Sequence, residues 1–192
     1  ALTIGFTPKG TSGRNTKEGQ VAESLNNTGI YSLVRHPLYL GNFFMWMGLI
    51  MYVGSWWFTI SCTFLFWVYY ERIMFAEEFF LRGKFGQTYL NWAEKTPAFL
   101  PNFKNFVSAP VFFSFKNVMK REYNGFFAIF LSFTLIDALK NYIHLGFYDW
   151  KELIHPFWQY SLIGSFVIFL LLRSLKKYTK VLDVEGREYI QK

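Results

Sequence analysis

The sequence predicts an all-α protein, an integral membrane bundle of helical hairpins. Three observations carry this. First, 22% of the chain is aromatic and 52% hydrophobic in only 192 residues. A soluble core of that size could not bury so much aromatic surface, whereas a bilayer solvates it, with Trp and Tyr at the interfaces. Second, no charged residue occurs from Leu38 to Tyr70. Third, the basic residues responsible for the +7 net charge flank the apolar runs and form no single patch. That pattern suits an anionic leaflet better than nucleic acid.

The elements follow in chain order. The chain opens Ala1-Leu2-Thr3 without Met, as a processed or trimmed product would, and shows no signal-peptide pattern. Residues 1 to 29 are rich in Gly, Ser, Thr and Asn and read as loop, with a short helix over Glu18 to Leu25. The uncharged run is too long for one span, since about 20 helical residues cross a bilayer. Gly54-Ser55 divides it into Leu38 to Val53 and Trp56 to about Lys84. Gly86, Pro97 and Pro101 punctuate a loop with one helical turn around Tyr89 to Glu94. Val107 to Arg121 reads as a helix lying along the interface. A second apolar pair follows, Asn124 to Leu145 and Pro156 to Leu172, joined by Tyr148 to Glu152. Asp137 and Lys140 imply that the far half of the first is packed on protein or near the interface.

Two parts are thus expected, a core over 1–105 and an interfacial helix, second hairpin and basic tail over 106–192. If both apolar pairs are hairpins, Arg35, Arg72, Arg82, Lys84, Lys120, Arg121, Arg173, Lys176 and Lys177 fall on one side. Positive charge marks that side as cytoplasmic. Cys62 is the only cysteine and lies in an apolar run, so no internal disulfide forms.

Two clusters can carry chemistry. In Arg35-His36-Pro37-Leu38-Tyr39-Leu40-Gly41, Pro37 suits a first helical turn. The free N–H groups there, beside Arg35 and His36, make a place for an anion such as a carboxylate. Taken alone, an Arg-His pair at the foot of a membrane helix is more often a topological anchor.

The second cluster is Glu77-Glu78, where the long helix leaves its apolar zone. Adjacent carboxylates near hydrocarbon are costly and need partners. Glu78 has Arg82 four residues on. Glu77 has only Ile73, Met74, Phe80 and Leu81 on its own helix, and so needs a distant partner or a cationic ligand. Arg35 is the protein partner at hand, and a sulfonium or ammonium is the ligand reading. Glu71 is a weaker candidate of the same kind.

These clusters, in this order, resemble the isoprenylcysteine carboxyl methyltransferase and phospholipid methyltransferase family of membrane enzymes. The resemblance rests on Arg35-His36-Pro37-Leu38-Tyr39-Leu40-Gly41, a helical hairpin, Glu77-Glu78, Phe85-Gly86-Gln87-Thr88-Tyr89 and Pro97 to Pro101, roughly residues 23 to 101. It implies transfer of a methyl group from S-adenosyl-L-methionine to a lipid, isoprenoid or lipid-linked acceptor. It implies a cofactor pocket formed by cytoplasmic-side helix ends and loops. Leu25, Asn26, Tyr31, His36, Pro37, Leu38, Tyr39 and Glu77 would bind cofactor, with Glu77 at its cationic amino-acid end. Arg35 and Glu78 would be catalytic, with Arg35 facing a carboxylate or the substrate. No metal is implied.

The sequence departs from the family at Trp92, often Tyr there, and at Ile73, near an Arg that helps bind substrate in eukaryotic members. The family's upstream membrane helices have no counterpart in this sequence. Two other readings compete. A membrane sterol-type reductase using NADPH shares the His-Pro-x-Tyr-x-Gly segment, but tends to carry Arg-Asp in place of Glu77-Glu78. A non-enzymatic membrane scaffold would use the charged pairs only as anchors.

Overall fold

The computed structural model describes residues 2–6, 14–16, 19–22, 24–145 and 150–184. The fold is helical as expected, with α1 over Leu2–Phe6 and a short antiparallel ribbon of β1 (Arg14–Thr16) and β2 (Gly19–Val21) ahead of the long helices. The ribbon corrects the expectation of a helix from residue 18. Gly19 lowers helical propensity there, and two short extended pieces pair locally instead.

The first hairpin forms where the sequence put it. Helix α2 covers Pro37–Val53 and α3 covers Trp56–Phe85. Gly54, at φ +82°, turns the chain between them, a conformation that L side chains rarely adopt. Gly86, at φ +51°, ends α3 in the same way, and α4 follows over Gln87–Lys95. Helix α4 is longer than the single turn expected.

Beyond α4 the chain runs irregularly, with one 3₁₀ turn at Phe103–Asn105, until α5 starts at Phe115 and continues to Leu145. The expected separate interfacial helix over Val107 to Arg121 is therefore absent. Pro110 prevents helix across residues 107 to 114, and Lys116, Lys120 and Arg121 belong to the first turns of α5. A short α6 (Trp150–Leu153) precedes α7 (Pro156–Tyr178), which Pro156 opens at its first position with His155 as cap. Glu23 and Asp149, the latter in the expected second hairpin tip, lie outside the described residues.

Among the described residues two helical stretches, Phe115–His144 and Pro156–Tyr178, are long and apolar enough to cross a membrane. Much of their apolar surface faces outward: Leu139 is 60% exposed and Leu171 59%. In water such surface would drive aggregation, whereas hydrocarbon accepts it.

The chain divides into two compact units, one of 1–43, 64–115 and 184–192, the other of 44–63 and 116–183. In the first, Ala22, Leu81 and Tyr89 form a small core, with Leu25, Phe80, Phe85, Leu90, Trp92 and Ala93 packed around it. In the second, a polar network joins α2, α5 and α7. The buried Asp137 carboxylate accepts the Tyr52 hydroxyl at 2.8 Å and the His155 backbone N–H at 2.7 Å. Trp158 Nε1 donates to the Tyr52 hydroxyl at 2.7 Å, and Lys140 Nζ donates to the Tyr52 carbonyl at 2.9 Å. Asp137 and Lys140 are packed on protein, as their charge in an apolar helix required.

Candidate functional site

The site lies within the first unit, at the foot of α2. Residues 29–36 approach it as a 3₁₀ turn, Ile30–Ser32, followed by an extended step into Pro37. A residue before proline is driven from helical conformation, so the helix cannot start earlier. The approach is held by the loop after α4. Arg35 N–H donates to the Pro97 carbonyl at 2.9 Å and His36 N–H to the Ala98 carbonyl at 3.2 Å, while Asn102 N–H donates to the Leu33 carbonyl at 2.9 Å. Trp92 Nε1 donates to the Tyr31 carbonyl at 3.2 Å. The Pro97 to Pro101 cluster thus fixes the Arg35-His36 turn through the backbone, a role its sequence did not announce.

With that turn fixed, the two sequence clusters meet. His36 Nε2 lies 2.9 Å from Glu78 Oε1, and His36 Nδ1 lies 3.7 Å from Glu77 Oε2. The Tyr39 hydroxyl donates to Glu77 Oε2 at 2.9 Å. Arg35 Nε lies 3.3 Å from Glu78 Oε1. The imidazole, only 5% exposed, sits between two carboxylates and stacks on Tyr39, which in turn meets Tyr70.

These pairings correct the expected partner of Glu78. Glu78 is paired with His36 and Arg35 across the hairpin, not with Arg82 along α3. A buried imidazole and guanidinium offer Glu78 a drier, stronger interaction than an exposed helix-surface pair. Glu77 does find distant partners, as its apolar neighbours required, but they are Tyr39 and His36 and not Arg35.

The electrostatics follow from the geometry. Burial opposes a charge on His36, yet the hydrogen bonds and negative charges of Glu77 and Glu78 outweigh it and raise its pKa above 6.5. Burial opposes the Glu78 carboxylate too, but the His36 hydrogen bond and the Arg35 charge prevail and hold its pKa below 4.5.

Of the other expected site residues, Asn26, Tyr31 and Pro37 are buried and Leu25 packs on the small core beneath. Leu38 is 47% exposed, so its side chain is not gathered with the rest. The sequence places Tyr89 at the end of the motif that opens with Glu77, without assigning it to the site. Its ring is 3% exposed and its hydroxyl faces the Glu78–Arg35 pair. Burial and the Glu78 charge push that phenol up to about 12, with Arg35 acting against them. The turn at Gly86 folds α4 back and brings Tyr89 there, which helical periodicity along α3 could not reveal.

Two buried side-chain polar atoms among the described residues lack a hydrogen bond, Arg35 Nε and the Tyr89 hydroxyl. Both belong to this cluster. Arg35 Nε has the Glu78 charge nearby but no aligned acceptor. Buried polar groups are nearly always satisfied, so two unspent donors beside two carboxylates fit a ligand carrying both an anionic oxygen and a cationic centre.

Comparison with known proteins places the matched segment among methyltransferases in sequence. Residues 11–88 match the family model "Phospholipid methyltransferase". Protein-S-isoprenylcysteine O-methyltransferase of Schizosaccharomyces pombe is 35% identical over 74 residues, 38% of this chain and 31% of the relative. The protein of that name in Xenopus laevis is 30% identical over 89 residues, 46% of this chain and 31% of the relative. A probable one of Oryza sativa subsp. indica is 36% identical over 74 residues, 38% of each chain. The matches thus span about a third of the length of these curated relatives. No solved structure matches. Arg35, His36, Tyr39, Glu77 and Glu78 fall inside the matched residues, and Tyr89 lies just beyond them. The resemblance read from the sequence holds: residues 11–88, which carry both the Arg35-His36 turn and the Glu77-Glu78 pair, match the model of the phospholipid methyltransferase family.

Proposed function

We propose that this protein transfers a methyl group from S-adenosylmethionine to a lipophilic acceptor (a lipid, isoprenoid or lipid-linked molecule) as a multi-pass membrane enzyme with its site on the cytoplasmic side. The observation that carries the proposal is the charge arithmetic of the cluster. Glu77 and Glu78 oppose Arg35, leaving one negative charge that, in the absence of ligand, a proton on His36, with its raised pKa, balances. A ligand with a net positive charge takes that proton's place.

S-adenosylmethionine supplies, when bound, a methyl on a sulfonium already activated for displacement. The protein's own residues do the rest. Glu77, anchored by the Tyr39 hydroxyl, presents its charge to the cationic amino-acid end. Arg35 Nε and the Tyr89 hydroxyl offer their unspent donors to an anionic oxygen, the ligand's carboxylate or the acceptor's. His36 holds a proton between the two carboxylates and gives it up when a cation replaces it. Asn26, Tyr31 and Pro37 line the approach, and Glu78 positions Arg35 and His36. Positioning and exclusion of water account for most of the acceleration such a reaction needs. A carboxylate acceptor requires no general base, whereas a protonated amine or hydroxyl does.

Mass spectrometry of lipid extracts incubated with the purified protein and methyl-labelled S-adenosylmethionine tests this. The expected result is label in an organic-phase product, lost in Glu77→Gln. Label in no lipid, with reduction of a lipid by NADPH instead, would favour the reductase reading.

A further inference from the structure

We infer that the loop after α4, residues 99–115, is a membrane-penetrating element that holds the candidate site at the depth of the lipid headgroups. The inference rests on the membrane placement proposed above, though not on methyl transfer. The loop lies beyond the residues matched to the family.

Its side chains divide into two sets. Phe99 turns inward, with its ring 5.7 Å from Phe43 and 5.2 Å from Trp67. Leu100, Phe103 and Phe106 turn outward and are 76%, 77% and 63% exposed. Large apolar side chains at such exposure, on a loop and not on a spanning helix, need an apolar phase to enter. Water is a poor host for them, and the hydrocarbon edge of a leaflet is a good one.

Charge identifies the occupant. No acidic residue occurs between Glu94 and Glu122, whereas Lys95, Lys104 and Lys116 do; Lys120, further on, is paired with Asp183. Aromatic side chains beside Lys95, Lys104 and Lys116, with no acidic residue near them in sequence beyond Glu94, match an anionic lipid surface, where rings sit among the headgroups and ammonium groups meet phosphates. Covalent continuity points the same way. Phe115 is the first residue of α5, one of the two helices long and apolar enough to span. The loop therefore enters a helix end that lies at the bilayer boundary.

The loop is also stitched to the site. Gly29 N–H donates to the Val107 carbonyl at 2.8 Å, and Val107 N–H donates to Ser32 Oγ at 2.9 Å. Gly29 adopts φ +59°, and a Cβ there would lie 3.2 Å from that of Ala109, so the two strands of chain are in close register. With the bonds from Arg35, His36 and Asn102 already described, the segment 29–36 cannot change depth without the loop. An acceptor must therefore present its reactive group among the headgroups, with its apolar chain in the bilayer.

Site-directed spin labelling of the full chain in nanodiscs containing phosphatidylserine tests this. With Cys62→Ser as background, nitroxides are placed at Phe103→Cys, at Glu94→Cys as an aqueous reference, and at Leu171→Cys as a hydrocarbon reference. Oxygen concentrates in hydrocarbon and a nickel chelate stays in water. The expected result is a nickel accessibility at position 103 several-fold below that at 94, with oxygen accessibility approaching that at 171. A water-like profile at 103 with a hydrocarbon profile at 171 would overturn the inference and leave the membrane placement standing. Water-like profiles at both 103 and 171 would overturn both.

Discussion

Two buried polar clusters, one in each compact unit, differ in how completely they are satisfied. Around Asp137 the carboxylate receives the Tyr52 hydroxyl and the His155 N–H, and Trp158 and Lys140 complete the set. Each donor has an acceptor, and the aromatic rings of Tyr52, Phe133 and Trp158 close around them. Around His36 two carboxylates share one imidazole, and two buried donors go without a hydrogen bond. A satisfied network holds helices together, whereas an incompletely satisfied one leaves hydrogen-bonding capacity that the proposed ligand would take up. The difference teaches that burial of charge alone does not mark a site; the unspent hydrogen-bonding capacity does.

The comparison makes opposite demands on substitution. The largest stability effect is expected at Asp137→Ala. Removing a carboxylate that accepts two close hydrogen bonds should destabilise the protein by about 3 kcal/mol. The affinity of the molecules that remain folded should be unchanged. Thermal melts paired with binding isotherms check this, and a loss of affinity in folded Asp137→Ala would break the division.

Glu77→Gln should behave in the reverse manner. Affinity for S-adenosylmethionine should fall about a hundredfold, because one charge of a partly desolvated pair is lost. The empty protein should melt at the same temperature or higher, since a like charge beside Glu78 has been removed. An unchanged affinity would remove Glu77 from the site.

Glu78→Gln stands between the two. It should cost about 1–3 kcal/mol, well above the few tenths expected of a helix-surface pair, because Arg35 and His36 both lose their partner. It should also lower the His36 pKa, which imidazole NMR reads directly. A His36 titration unmoved by the substitution would contradict the geometry.

The pH dependence follows with its sign. His36 has a raised pKa, so its contribution is complete below 6.5 and is lost as pH rises through the folded value. Glu78 has a lowered pKa, so its contribution is complete above 4.5 and is lost as pH falls through the folded value. Stability of the empty protein should therefore be greatest between about pH 4.5 and 6.5 and decline on either side. Glu78→Gln should flatten that profile.

The smallest effect on stability is expected at Tyr89→Phe. Its hydroxyl faces the Glu78–Arg35 pair without a well-aligned hydrogen bond, so its removal should change the melt by less than about 1 kcal/mol. Ligand affinity should nonetheless fall if that donor is spent on the ligand, and a melt strongly lowered would mean that the hydroxyl is already used.

Much of this was legible in the sequence where a single period governed the chain. The uncharged run with a glycine at its middle gave both helices of the first hairpin almost to the residue. The demand of Glu77 for a distant partner was likewise legible, because apolar neighbours along a helix leave a carboxylate no local choice. The partners themselves were not legible. That Glu78 turns from Arg82 to His36 and Arg35 depends on how α2 meets α3, which no spacing along α3 encodes. Tyr89 was hidden behind the positive-φ turn at Gly86, and the clamp from Pro97 and Ala98 uses backbone atoms, which carry no residue signature. The short ribbon near the N-terminus replaced an expected helix because local pairing of two three-residue strands overrode a weak apolar pattern.

The central claim is that the His36 cluster is a cation-binding site, and the most direct measurement is calorimetry of S-adenosylmethionine with the purified protein at two pH values. The account predicts saturable binding in detergent or nanodiscs, about a hundredfold weaker in Glu77→Gln. At a pH below the raised His36 value, where the cation displaces its proton, binding should release a proton, seen as a dependence of the heat on the buffer's ionisation enthalpy. Binding of NADPH with none of S-adenosylmethionine, or binding of S-adenosylmethionine that is indifferent both to Glu77→Gln and to the buffer, would contradict it.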